Sequence, residues 1–156
     1  GVDILVNNAG VGRFSPLADL AVDDWRETIE TNLSGVFHCC RAAIPAMKQR
    51  GGGWIINVSS LAGKHPFAGG TAYCASKAGL NALTESLMQE VRRDGIRVSC
   101  VLPGSVDTRF AGNESSADAG WKLAASDVAQ TVFDLLCHPP RSLPSRVEIR
   151  PAVPGK

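Results

Sequence analysis

The chain has 156 residues, 44% hydrophobic and 20% charged, a balance that suits one domain with its own core. Sixteen Lys and Arg against fifteen Asp and Glu leave a net charge of +1, no basis for binding nucleic acid or an anionic membrane, and no stretch reaches membrane-spanning length or reads as a signal peptide. Five cysteines without a CxxC pair, mostly in apolar segments (Cys39, Cys40, Cys100, Cys137), and three scattered histidines, His38, His65 and His138, argue against a metal site and for buried thiols in a reducing, cytoplasmic compartment.

The first predicted element, Asp3–Asn7, is a continuous apolar run of the kind a buried parallel strand needs. Asn7-Asn8-Ala9-Gly10 leaves it, and a loop runs from Val11 to Leu20. Asp23 and Asp24 suit the first turn of a helix, where the macrodipole favours negative charge. Trp25, Ile29, Leu33, Val36, Cys40 and Ile44 keep helical spacing and predict one long amphipathic helix, with Asn32 the odd polar residue beside the stripe. Pro45 is expected to break or kink its last turns. Gly51-Gly52-Gly53 precedes a strand instead of opening a helix, so it reads as a turn and not as a phosphate loop.

The next strand, Trp54–Val58, ends in Ser59 and Ser60, and after a Gly- and Pro-bearing loop a helix opens on Tyr73-Cys-Ala-Ser-Lys77. Tyrosine and lysine four apart share one helix face. A serine at the carboxyl end of the preceding strand can point into the same space, where open α/β sheets bind ligands. A hydroxyl, a phenol and an ammonium converging there suit proton transfer. The phenol is a poor acid or base at its reference pKa of about 10, and the Lys77 ammonium is expected to favour the phenolate. Tyr73 could then take a proton from an alcohol or return it to a carbonyl oxygen, with Ser60 holding that oxygen.

The Tyr73 helix continues through Leu80, Leu83, Leu87 and Val91 and stops near Asp94-Gly95. Arg97–Leu102 is the third strand, and Pro103-Gly104-Ser105-Val106-Asp107-Thr108 turns away from its end. Phe110 to Leu123 is mixed and rich in small residues and reads as a loop. A last helix starts at Ser126-Asp127, with Ser126 as its cap and Val128, Val132, Leu135 and Leu136 inward, and ends at Pro139-Pro140. Arg146–Ile149 is the fourth strand, followed by a loose tail to Lys156. With no repeats and no linker, residues 1–156 form one domain: an α/β fold, a parallel doubly wound sheet with helices on both faces and strands in the order 3–7, 54–58, 97–102, 146–149.

Taken together, Asn7-Asn8-Ala9-Gly10 after a strand, Asn32 in the following helix, Ser60, Tyr73 with Lys77, and Pro103-Gly104 after a further strand resemble the short-chain dehydrogenase/reductase family. The resemblance runs from Gly1 to about Pro151 and is strongest to small oxidoreductases whose last strand reads EIRP, as Glu148-Ile149-Arg150-Pro151 does. It implies a Rossmann-like domain, NAD or NADP as cofactor, and a small-molecule alcohol or carbonyl substrate. In that likeness Tyr73 is the acid/base, Lys77 tunes it and holds the nicotinamide ribose, and Ser60 positions the substrate oxygen. The backbone carbonyl of Asn32, at a helix irregularity, would hold a water linking Lys77 to solvent. Asn8, Ala9 and Gly10 would line the cofactor ribose, and Val106 and Thr108, beyond Pro103 and Gly104, would meet the nicotinamide carboxamide. The same resemblance implies that the loop from Phe110 to Leu123 is a covering one.

The glycine-rich turn TGxxxGxG of the family is absent, so the chain is expected to be the later half of a seven-stranded sheet whose front βαβαβ unit, roughly a hundred residues, is missing. The full-length protein is expected to be a homo-oligomer, and the 156 residues alone to be largely inactive. Two other readings stand beside the oxidoreductase. One is a sugar-nucleotide epimerase or dehydratase sharing the YxxxK helix, the other a non-catalytic scaffold.

Overall fold

The computed structural model describes residues 1–112 and 119–153. Four strands form one sheet in the order β1 (Ile4–Asn7), β2 (Gly53–Val58), β3 (Ile96–Pro103), β4 (Arg146–Ile149). All three pairings are parallel, with Ile4 opposite Trp54, Trp54 opposite Arg97 and Val101 opposite Val147. The order and direction are those expected from helical crossovers between neighbouring parallel strands. The result is the Rossmann-like α/β sheet read from the sequence, with strand limits extended by a residue at Gly53, Ile96 and Pro103.

Residues alternate across each strand, so the sheet has two distinct faces. On one, Leu5, Ile55, Ile96 and Val98 pack with Val36, Cys40, Met47, Leu80, Leu87 and Val91 from α2 (Gly35–Gln49) and α3 (Thr71–Val91). On the other, Trp54, Ile56 and Val101 meet Leu135, Val128 and Val132 of α4 (Ala125–Leu136). α4 reaches only part of this face, and Ile4 and Val6 of β1 stay 48% and 41% exposed. The first strand is therefore buried on one side only.

The long predicted helix is present but not regular. α1 (Val22–Ile29) passes through a π turn, Glu30–Ser34, into α2. There the Gly35 N–H bonds back to the Glu30 carbonyl, five residues earlier. The extra residue shifts the phase of the inward stripe, which runs through Thr28, Asn32, Val36, Cys40, Ala43 and Met47. Trp25, expected inward, is exposed instead. Pro45 does not end the helix, which continues to Gln49. Pro45 is exposed, so the carbonyl it leaves without a helical donor faces water.

α3 ends in a 3₁₀ turn closed by Gly95 at φ 74°, a left-handed stop that suits glycine. Ser126 lies inside α4 rather than capping it; the Asp127 carboxylate accepts from the Ala124 N–H at 2.8 Å and does the capping. Two of the thiols expected to be buried, Cys39 and Cys137, are exposed, while Cys40, Cys74 and Cys100 are buried, and all five are free. Residues 113–118 of the expected covering loop and 154–156 of the tail lie outside the described residues. Beyond the former, Leu123 is pinned to the turn after β3: its N–H bonds Ser105 O and its carbonyl accepts from the Asp107 N–H. Among the described residues no helix is long and apolar enough to cross a membrane.

Candidate active site

The carboxyl ends of β1, β2 and β3 open onto one cleft of about 570 Å³, lined among others by Asn8, Gly10, Ser60, Tyr73, Lys77 and Thr108. Pro103, Gly104 and Val106 from the turn after β3 complete that side. Ala9, expected beside them, is exposed and does not line the cleft. A second cavity of about 590 Å³ adjoins the first, and Ser60, Tyr73, Gly104, Thr108 and Phe110 are among the residues that line both. A larger depression along the outer side of α3, about 800 Å³, contains neither Ser60 nor Tyr73.

Each side chain is held by the element that carries it. Ser59 and Ser60 are adjacent on an extended backbone and point apart. The Ser59 hydroxyl donates to the Lys77 carbonyl at 3.3 Å and is buried against α3. Ser60 caps the short 3₁₀ turn Leu61–Gly63, accepting from the Ala62 N–H at 3.1 Å, and its hydroxyl lies close enough to the Tyr73 phenol to bear on its acidity. Both serines line the cleft with Tyr73, and only Ser60 also lines the second cavity beside it. Tyr73 and Lys77 lie one turn apart in the first half of α3, with the ammonium 5.8 Å from the ring centre.

Burial dominates the acidity of both groups. It pushes the Tyr73 phenol above its ordinary value, with the Ser60 hydrogen bond partly opposing. It pushes the Lys77 ammonium down to about 8, with only a small opposing effect from Cys100. The expected lowering of Tyr73 by Lys77 is thus not seen: burial dominates, and the ammonium lies 5.8 Å from the ring centre. One of the three ammonium protons is taken by the Val58 carbonyl at 3.0 Å.

Asn32 lies within the π turn and is fully buried. Its side-chain oxygen accepts from the Val11 N–H at 2.8 Å, and its amide donates to the Val11 carbonyl at 2.9 Å and to Ser76 Oγ at 3.0 Å. Ser76 in turn donates to the Tyr73 carbonyl. One side chain therefore ties the loop after β1 to the turn of α3 that bears Tyr73. The expected relay uses the Asn32 backbone carbonyl; the side chain adds this clamp, which spacing did not reveal.

The sequence reading also missed a buried polar ladder beneath the site. Asn7 donates to Asn57 Oδ1 at 2.8 Å, Asn57 to Thr84 Oγ1 at 2.9 Å, and Thr84 to the Leu80 carbonyl at 2.7 Å. It fixes β1, β2 and α3 at one depth. The available signal was an asparagine at the matching position of two apolar strands, Asn7 opposite Asn57.

The cleft fits the nicotinamide end of a dinucleotide on these observations: it opens at the strand carboxyl ends, and a buried ammonium with unspent donors projects into it beside a phenol. Lys77 would hold ribose hydroxyls there, with Asn8 and Gly10 alongside.

A parallel α/β sheet carrying a serine, a tyrosine and a lysine at the carboxyl ends of its strands is the arrangement that the family resemblance implied. The family model for short chain dehydrogenases matches residues 1–119, and the chain belongs to that family. It is 32% identical over 151 residues to an uncharacterized oxidoreductase of Staphylococcus aureus strain MRSA252, covering 97% of this chain and 65% of the relative. An uncharacterized oxidoreductase of Staphylococcus epidermidis is 34% identical over 150 residues, covering 96% and 65%. The chain thus spans 65% of the length of these curated relatives. Among solved structures, the closed form of serine dehydrogenase complexed with NADP+ is 33% identical with a TM-score of 0.87, covering 94% of this chain and 64% of that one. The alcohol dehydrogenase of the archaeon Thermococcus sibiricus, complexed with 5-hydroxy-NADP, is 28% identical with a TM-score of 0.89, covering 99% and 66%. A metagenomic short-chain oxidoreductase in complex with NADP is 42% identical with a TM-score of 0.78, covering 97% and 63%.

Proposed function

We propose that this protein is an NAD(P)-dependent oxidoreductase that interconverts a small carbonyl compound and its alcohol. The observation that carries the reading is the position of Tyr73 and Ser60 in the wall shared by two cavities, with Lys77 on one side only. A cofactor held on the Lys77 side and a substrate held on the other would meet at the phenol. The bound nicotinamide supplies or accepts the hydride.

On the protein side, Ser60 donates a hydrogen bond to the substrate oxygen and sets the carbon towards the Lys77 cavity. In reduction, with hydride supplied to the carbonyl carbon, the substrate oxygen would take the Tyr73 proton to give the alcohol, so the part of these residues is to place that carbon and to deliver that proton. Burial raises the phenol above its ordinary value, so it holds its proton at neutral pH and can serve as the acid when a carbonyl is reduced. Lys77 binds the ribose, and the Asn32 carbonyl anchors the return of protons from solvent. Three of the similar structures carry NADP or a derivative, so NADP is the cofactor to test first, with NAD beside it. Half-exposed Phe37 of α2, near Leu83 of α3, supports a homo-oligomer joined through that helical face.

The test is Tyr73→Phe in the intact enzyme. Turnover is expected to fall by on the order of 10²–10⁴-fold, the usual yield of a positioned acid, while cofactor affinity measured by titration stays close to the original. Lys77→Ala is expected to harm both. Retained turnover in Tyr73→Phe would refute the role given to the phenol.

A further inference from the structure

We propose that the cavity on the substrate side is built for an aryl ketone, or the corresponding aryl carbinol. This rests on the oxidoreductase reading above and specifies its substrate class. Two phenylalanines from separate loops pack on the Tyr73 ring, and a third packs on the first of them. Phe14 stands edge-on to it, at 5.6 Å between centroids and 88° between planes, and Phe110 lies 5.4 Å away at 54°. Phe67 continues the wall, 5.6 Å from Phe14. All three line the cavity together with Ser60 and Tyr73.

These rings are seated, not stray. A Cβ at Gly12 would lie 2.6 Å from Phe110 Cε1 and 3.0 Å from Phe14 Cζ, so the bare backbone of Gly12 is the shelf on which both rings rest. A Cβ at Gly70 would lie 2.6 Å from Phe67 Cε2, and that ring sits on glycine too. Yet Phe14 remains 47% exposed and Phe67 49%, with their free faces towards solvent at the cavity. Large aromatic surface left bare beside a reactive group marks a binding surface for an apolar body. Edge-to-face packing of a substrate ring against Phe14 and Phe67 would leave its carbonyl directed at Ser60 and Tyr73.

Of the charged groups nearby, Arg150 and Lys122 line the cavity, whereas Lys64 and Glu148 lie outside its lining. Glu148 accepts from Lys64 at 2.5 Å and from Arg150 at 2.9 Å, and these two cations hold its carboxyl down to about 2. Both cations thus already have a carboxylate partner; Lys122 also lines the cavity. The reaction is the two-electron step already described: hydride from the reduced nicotinamide to the benzylic carbon, proton from Tyr73 to oxygen.

The experiment compares kcat/KM of the intact enzyme for acetophenone, 2-butanone and a 3-hydroxy acid, each with NADPH or NADP+ as its direction requires. Acetophenone is expected to exceed 2-butanone by on the order of tenfold or more, the worth of one or two aromatic contacts. Phe67→Ala and Phe14→Ala are expected to bring that ratio towards one. Gly12→Ala, which displaces Phe110 from its shelf, should do the same by a different route. Phe67→Leu, which keeps bulk but loses the ring, serves should the alanine variants lose cofactor binding. Turnover with no aryl preference, preference for the hydroxy acid, or a ratio unmoved by all these variants overturns the proposal and leaves the oxidoreductase reading intact. No turnover of any carbonyl or alcohol, with cofactor bound, defeats that reading and the proposal with it.

Discussion

Lys77 shows how one buried group can serve the site and burden the fold. Its ammonium is 4% exposed, bonded to the Val58 carbonyl, and depressed to about 8 by loss of water. In the unfolded chain a lysine titrates near 10.4. The folded value is the lower one, so between about pH 8 and 10.4 the unfolded state binds more protons, and stability from this residue rises with pH across that window. Below pH 8 the charge is present in both states and its desolvation is a constant cost. The whole excursion is on the order of 3 kcal/mol for a shift of this size. Urea unfolding of the cofactor-free protein and of Lys77→Met, followed from about pH 7.5 to 10.5, should give curves that converge as pH rises, because the methionine carries no charge to desolvate. Parallel curves would mean that the ammonium is better hydrated than its burial implies. Trp54 carries a related cost: its ring stacks under the Arg97 guanidinium at 4.2 Å, but its indole N–H is buried with no hydrogen-bond partner.

Among the elements, the 3₁₀ turn Leu61–Gly63 has the least freedom, since it carries Ser60 and lies directly on α3. A Cβ at Gly63 would lie 2.7 Å from the Lys77 carbonyl and from Asn81 Nδ2. Gly63→Ala should therefore push the turn off the helix, costing about 1–3 kcal/mol as overpacking usually does, and lower kcat more than cofactor affinity because Ser60 moves with it. Thermal melting and steady-state kinetics on the same preparation check both; unchanged kcat with an unchanged melt would show that the turn can shift without moving Ser60. The sequence revealed neither this contact nor the phenylalanine wall, because both join residues on separate loops with no periodicity to connect them. What it revealed had a period or a fixed spacing: the apolar runs that became β1 and β2, the later strands β3 and β4, and Tyr73 and Lys77 on one helix face. Its errors came where a period was interrupted or tolerated. The π turn rotated Trp25 out of the stripe that equal spacing assigned it, and Pro45 kept its helix because its bare side faces water. The Asn32 amide was visible as an exception within that stripe, but its partners, Val11 and Ser76, were not.

At the scale of the whole molecule the two faces of the sheet are unequally covered. α2 and α3 close one face from β1 to β3, whereas α4 closes the other only over β2 to β4. The consequence falls on β1, where alternation makes Leu5 part of the first core and leaves Ile4 and Val6 bare. Val6 also lines the cleft that Lys77 enters, so the exposed strip runs into the proposed cofactor side. β1 is an edge strand among the described residues, and an apolar strand at a sheet edge is a template for association. Two neighbouring substitutions separate the faces, because a period of two sends adjacent side chains in opposite directions. Leu5→Lys places a charge in the α2 side of the core and should cost several kcal/mol, enough to unfold a marginal domain. Ile4→Lys places the same charge on the bare side, where it should change the urea midpoint little and reduce concentration-dependent light scattering of the 156-residue chain. If Ile4→Lys proves as destabilising as Leu5→Lys at low protein concentration, the bare face assigned to β1 is buried in solution and the asymmetry argued here is wrong.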